Sequence, residues 1–382
     1  MQRKIPCCIY RGGTSKGVFF HDRNLPARKN TRDRVILAVF GSPDVRQIDG
    51  LGGADSLTSK TAIIGPPTIE GADVDYTFGQ VSITAPLVDY GSNCGNISSA
   101  VGPFAIEEGL VKATDPLTRV RIYNTNSRKI IVAEVPTDGG CPVMEGEYAI
   151  SGVPGTGAKI TLDFVDSGGA VTGRLLPTGN RRDTIDLGPL GTFEVSLVDA
   201  ATAVVFVKAQ DLGLEGTEGP SRINSDDHLL RVLEAIRGAA AVMTGKVKEA
   251  SDAVSKSPSV PKVAFVAPPA SYETVAGEAV NESEIDLVSR IMSMQKAHKA
   301  YAVTGAICTA AAAAIEGTVV NEVLRLTPGK EVRIGHAGGT IAVETQVEVR
   351  GSEIVLMRSA LGRTARRIME GFVYVPEKVF AD

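Results

Sequence analysis

One cysteine, Cys94, stands in the stretch YGSNCGNISSAVGPFAIEEG (residues 90–109), bracketed by Asn93, Gly95 and Asn96 ahead of small and apolar residues. Two chemistries fit that bracket. Cysteine is among the most buried residue types, and Asn and Gly favour helix starts, so Cys94 reads as an inert core residue. The position also suits a working thiol, because unpaired N–H groups at a helix start attract anions and favour a thiolate. The bracket alone leaves both open.

Further stretches carry usable groups. YRGGTSKG (10–17) breaks a strand with two glycines and then supplies Thr14, Ser15 and Lys16. Such a turn either closes a hairpin or aims N–H groups and hydroxyls at an anion. DGLGGADSLTSKTAII (49–64) carries Lys60 from a Gly-rich loop into an apolar strand. Ser59 stands where the G-K-[ST] phosphate loop requires glycine, so this is not a P-loop. A lysine so placed either keeps its head in water at a strand edge or faces a cleft as a base. His336 in RIGHAGGT (333–340) reads as a turn residue, and Cys308 lies in VTGAICTAAAA (303–313).

Cofactor signatures are missing. No acidic partner accompanies Lys60 as a pyridoxal phosphate lysine would require. His21, His228, His298 and His336 lie far apart with no H-x-x-x-H spacing, and the five cysteines form no C-x-x-C pair. Neither a metal nor a disulfide framework is expected.

The elements that must position these groups are mostly short β-rich runs bounded by Gly and Pro. IPCCIY, GVFF, KTAIIG, DYTFGQVSIT, RVRIYN and KIIVAEV read as strands of the first half. GTFEVSLVD, TAVVFVKA, KVAFVAP, EVRIGHAGG, TIAVETQVEV and SEIVLM do so in the second. Helices are expected over TRDRVILAVFG, with Thr31 as N-cap, and over CGNISSAVGPFAIEEG. The second half adds SDDHLLRVLEAIRGAAAVM, ESEIDLVSRIMSMQKAHKA and TGAICTAAAAAIEG. Strands and helices do not alternate as βα units, which argues against a doubly wound fold. FAIEEGLV and AAIEGTVV echo one another, each closing a small-residue helix that follows a cysteine. Two related halves are therefore expected, each packing sheet around such a helix.

Bulk properties narrow the class. The chain has 382 residues, 43% hydrophobic and 22% charged, which suits a globular protein of two domains. A net charge of −4 and 5% aromatics give no footprint for nucleic acid. The start has no apolar core of signal-peptide length, and the uncharged run over 300–315 is too short to span a bilayer. The expectation is a cytoplasmic protein, away from membranes.

Taken together and in order, YRGGTSKG, IDGLGGADSLTSKTAI, NCGNISSAVGPFAI, GAICTAAAAAIEG and GRTARRIMEGFVYVP resemble the PrpF family of isomerases over nearly the whole chain. FGSPDVRQIDGL and DVDYTFGQVSIT bring it nearest to the family's 3-methylitaconate Δ-isomerases. The resemblance implies an α+β, diaminopimelate-epimerase-like fold: two similar domains, each a curled sheet or barrel around a central helix, with the active site between them. The first domain would hold residues 1–180, joined by the last strand at about 368–382, and the second residues 181–367.

The resemblance further implies a cofactor-independent 1,3-proton shift in a small unsaturated di- or tricarboxylate, most simply 3-methylitaconate to 2,3-dimethylmaleate. Methylaconitate or aconitate isomerisation and oxalomesaconate tautomerisation are the neighbouring readings; a non-catalytic carboxylate binder and a two-cysteine racemase are the remoter ones. Lys60 and Cys94 would be the catalytic pair, with Ser15, Ser59, Gly95 and Asn96 as substrate contacts. Cys308 is left out of that pair. A homo-oligomer is compatible with all of this.

Overall fold

The computed structural model describes residues 1–91, 93–165, 167–325, 331–350 and 353–381. Ser352, at the head of the strand expected over 352–357, lies outside them.

In chain order the elements that matter begin with β1 (Gln2–Gly12), β2 (Ser15–His21), α1 (Lys29–Phe40), β3 (Lys60–Gly65) and β4 (Val74–Val81). There follow α2 (Gly95–Glu107), β5 (Leu117–Asn124) and β6 (Lys129–Asp138). Then come β7 (Asp183–Asp186), β8 (Thr192–Ala200), β9 (Thr202–Lys208), α3 (Asp227–Met243), β10 (Lys262–Ala267) and β11 (Leu287–Ser293). Last are α4 (Val303–Ala314), β12 (Glu331–His336), β13 (Gly339–Arg350), β14 (Glu353–Arg363) and β15 (Ala365–Pro376).

The chain divides into two compact units, Met1–Leu162 with Gly362–Asp382, and Asp163–Leu361. The divisions fall at 162/163 and 361/362 rather than at the expected 180/181 and 367/368. Residues after 162 are tied to the second unit. Asp199 accepts the amides of Val171 and Thr172, and Gly168 bridges Ala200.

In the first unit β15 pairs antiparallel with β1 and β1 with β2. A parallel step to β3, an antiparallel one to β4, a parallel one to β5 and an antiparallel one to β6 complete the series. The second unit repeats that series from β7 to β13: antiparallel, antiparallel, parallel, antiparallel, parallel, antiparallel. Parallel neighbours need a crossover, and each of the four parallel steps carries a helix. These are α1 and α2 in the first unit and α3 and α4 in the second.

α2 and α4 are apolar all round, the signature of a helix surrounded by protein. Every residue from Gly95 to Ile106 is buried, and α2 packs against β1 to β6 and β15. Gly102 lets it approach β6, since a Cβ there would lie 2.8 Å from a Val135 methyl. α4 is buried from Val303 to Ala313 and packs against β8, β9, β12 and β13.

Two expectations about local structure need correction. α1 begins at Lys29 with Arg28 as an N-cap that supplies no side-chain bond, and Thr31 is buried inside the helix. The segment expected as a helix over 282–300 instead holds β11, buried along nearly all its length between β10 and β12. A strand buried on both faces shows no period of two, and its apolar run reads as helical. Met294 and Gln295, at φ +50° and +60°, then reverse the chain into Lys296–Ala297.

Among the described residues no helix is long and apolar enough to cross a membrane. Nor do three or more His, Cys, Asp or Glu side chains group as metal ligands.

Candidate active site

Cys94 is the N-cap of α2, in extended conformation, and its side chain makes no capping bond. It is held through its backbone instead. The Cys94 amide donates to Asn93 Oδ1 at 2.7 Å, while its carbonyl accepts from the Ser98 amide at 2.9 Å and from Ser98 Oγ at 3.0 Å. Asn93 is steadied in turn by Asn124 at the end of β5, whose Nδ2 lies 3.3 Å from Oδ1. The thiol is thus spared for other work, and Cys94 is only half-buried. A first helical turn leaves its N–H groups without intrahelical partners, and the uncapped start of α2 is such a turn.

The Gly-rich turn between β1 and β2 wraps this helix start. A Cβ on Gly12 would strike the Asn96 carbonyl, and one on Gly13 would strike the Asn96 side chain. Gly13 also has φ +51°, a conformation that suits glycine. Asn96 Nδ2 donates to Thr14 Oγ1 at 3.0 Å. Ser15 is buried at the head of β2, and its hydroxyl has no hydrogen-bond partner.

Lys60 opens β3 at 7% exposure. The parallel register places it beside Gly17, and the space a Cβ on Gly17 would need is taken by the Lys60 carbonyl and an Ile97 methyl of α2. Its ammonium donates to Gln80 Oε1 at 2.6 Å and lies 5.4 Å from the centre of the Phe78 ring. Gln80 is anchored by donating to the carbonyls of Ser59 and Ser56. No carboxylate among the described residues pairs with Lys60. An amine held by a neutral amide oxygen in a half-dry setting can give or take a proton.

Ser59 stands apart from this group. Its hydroxyl donates to the Val81 carbonyl at 2.9 Å and accepts from Gln47 Nε2 at 2.7 Å, fully buried. Its one proton is spent inside the fold, so it holds the loop that delivers Lys60 and is not free for substrate.

Cys308 is likewise occupied inside the fold. It lies within α4 with its thiol donating to the Val198 carbonyl at 3.2 Å, and burial pushes its pKa well up. His336 is buried at the end of β12, where Nδ1 accepts the Gly338 amide at 3.1 Å. That is a turn-forming bond.

Sequence reading alone missed Gln80, Asn93 and Tyr76. Gln80 pairs with Lys60 across β3 and β4, a register that only the folded sheet reveals. Asn93 stood in the quoted bracket, but its service to the Cys94 amide carries no spacing signal. Tyr76 is wholly buried in β4, and burial, then the nearby Cys94, raise it well above the ordinary tyrosine value, with the Ser98 hydroxyl opposing them.

Comparison with known proteins follows the same residues. The PrpF protein family matches residues 2–376. The 3-methylitaconate isomerase of Eubacterium barkeri is 52% identical over 98% of both chains. The 2-methyl-aconitate isomerase of Shewanella oneidensis is 40% identical, again over 98% of both. The crystal structure of a methylitaconate-delta-isomerase superposes with a TM-score of 0.82 at 51% identity, covering 100% of this chain and 98% of that one. A hydroxyproline epimerase from Agrobacterium vitis shares the fold alone, with a TM-score of 0.57 at 12% identity over 98% of this chain and 94% of its own. With a family match along almost its whole length, and relatives this similar to either end, the chain is an isomerase of the PrpF family.

Proposed function

We propose that the chain moves a double bond in a small unsaturated di- or tricarboxylate by a cofactor-independent 1,3-proton shift, with 3-methylitaconate as the first substrate to test. A C–H bond beside a carboxylate breaks, its electron pair spreads over a dienolate, and a new C–H bond forms two carbons away. For 3-methylitaconate the proton leaves the carbon bearing the methyl group, and the methylene carbon becomes the new methyl of 2,3-dimethylmaleate. Oxidation state is unchanged.

Lys60 and Cys94 are the proton carriers in this reading, exchanging the roles of base and acid with the direction of reaction. The Gly95 and Asn96 amides, with the Ser15 hydroxyl, hold a carboxylate at the start of α2. The developing negative charge is stabilised there by fixed dipoles. Each unit, in the same reading, is one epimerase-like domain whose sheet curls around α2 or α4. The observation that carries the reading is the pairing of an uncapped, buried helix start, whose N-cap is a free thiol, with a lysine that no carboxylate neutralises. The substrate class is that of the 52% identical relative's name.

Isomerisation in deuterium oxide tests the two-carrier scheme. Lysine and thiol protons exchange with water, so early product should carry solvent deuterium at the newly saturated carbon. Recovered substrate should also gain label when the intermediate returns. Dominant retention of the substrate's own hydrogen, read by mass spectrometry, would point to a single shared base and defeat the Lys60–Cys94 division.

A further inference from the structure

Three arginines are buried among the described residues: Arg237, Arg290 and Arg363. Two are fully accounted for. Arg237 forms a bidentate pair with Glu234, its Nη2 and Nε at 2.6 and 2.8 Å from the two carboxylate oxygens. Arg290 gives its protons to the backbone carbonyls of Glu218, Ser289, Gly335 and Thr217, and stacks on Tyr272.

Arg363 is different. It is 7% exposed at the end of β14, in the part of the chain that belongs to the first unit. Its Nε donates to Asn96 Oδ1 at 3.1 Å and its Nη1 to the neighbouring Gly362 carbonyl at 2.9 Å. Among the described residues Nη2 has no acceptor and no carboxylate pairs with the guanidinium. Burial lowers its pKa to about 10, so it stays charged at neutral pH, and the one titratable neighbour acting on it is Tyr148. A buried cation without an anion is expensive unless something outside the fold completes it.

The geometry also says where the anion belongs. A guanidinium only donates, so its bond fixes Oδ1 of Asn96 toward Arg363 and leaves Nδ2 for Thr14. Asn96 is the second residue of α2, inside the turn whose amides are unpaired. Arg363 therefore brings a planar, fixed-charge fork to the helix start that already offers N–H groups.

We propose that Arg363 is a substrate-binding residue, pairing with a carboxylate of the di- or tricarboxylate and selecting dianions over monoanions. The proposal rests on the isomerase site described above. It gives the free protein an unneutralised buried charge that substrate neutralises.

The test combines stability and kinetics in wild-type, Arg363→Met and Arg363→Lys proteins. Unreactive 2,3-dimethylsuccinate is the binding probe, with isobutyrate as the monoanion control. Wild type should melt higher with dimethylsuccinate and respond little to isobutyrate. Free Arg363→Met should melt no lower than wild type, since a lone buried charge has gone, yet lose the dimethylsuccinate shift. Its KM should rise about 10- to 100-fold with kcat less affected. Arg363→Lys keeps the charge without the fork and should fall between the two.

An Arg363→Met protein that melts lower than wild type or fails to fold overturns the proposal by assigning the guanidinium to the scaffold. A wild-type KM in either variant, or a wild-type dimethylsuccinate shift in the Met variant, overturns it as well. Failure of the isomerase reading would look different: wild type would turn over no unsaturated dicarboxylate, while dimethylsuccinate binding still depended on Arg363.

Discussion

The two buried helices begin differently, and the difference decides what their cysteines can do. At the start of α2 the cysteine is the cap itself, held through its backbone, with Asn93, Asn96 and Ser98 around it. At the start of α4 the cap is Ala302, followed by Val303, Thr304 and Gly305, and Cys308 lies inside the second turn. Hydroxyls there bond to one another in the chain Ser289–Tyr301–Thr309, with separations of 2.7 and 2.9 Å. Around α2, by contrast, Lys60, Ser15 and Arg363 are left without anionic or hydrogen-bonding completion. Two helices with one place in a repeated topology thus differ in the groups gathered at their starts: a thiol cap, a lysine and an arginine beside α2, and a backbone-capped, hydroxyl-linked start at α4.

That contrast can be broken most sharply at Lys60. Lys60→Ala should lose about 10⁴-fold in kcat, the upper range for one proton-transfer group, while circular dichroism stays that of wild type. Near-normal turnover would remove Lys60 from the reaction. Cys94→Ser keeps a hydroxyl at the cap, a far weaker acid, and should lose about 10²- to 10³-fold.

Alkylation reads the same contrast without mutation. In native protein, iodoacetamide should label half-buried Cys94 and exposed Cys141. Cys7 and Cys8, which burial pushes up to about 11 and about 12, and Cys308 should react only after unfolding. An unsaturated dicarboxylate should protect Cys94 and not Cys141, as counted by peptide mass spectrometry. The smallest effect belongs to Cys308→Ser, with kcat within about twofold and stability changed by about 1 kcal/mol, the worth of one buried hydrogen bond. A Cys308 variant more damaged in kcat than Cys94→Ser would move the chemistry to the other helix.

Much of this was legible before folding. KTAIIG marks β3 at both ends because a β-branched run follows a Gly-rich loop. Cys94 and Lys60 stand out as a thiol and an amine near glycines, and the family motifs join them. What stayed hidden depends on pairing across the fold. Gln80 meets Lys60 only through strand register. Arg363 reaches Asn96 across 267 positions of sequence. Ser59 resembled a site residue because it adjoins Lys60, but alternation along the chain turns it toward Gln47 and Val81. Composition does not encode such partners.

The pairing of β15 with β1 has a consequence for biosynthesis. β1 leaves the ribosome before the second unit, yet its partner Ala365–Pro376 emerges only after the whole of that unit has been made. At roughly 5–20 residues per second, the intervening unit takes about 10–40 s to synthesise. Through that interval one edge of β1 lacks its partner strand, a template for unwanted pairing that a nascent chain must be kept from using. Arg363 arrives with the same late segment, so a chain stalled before it would hold Lys60 and Cys94 but not the cation beside Asn96.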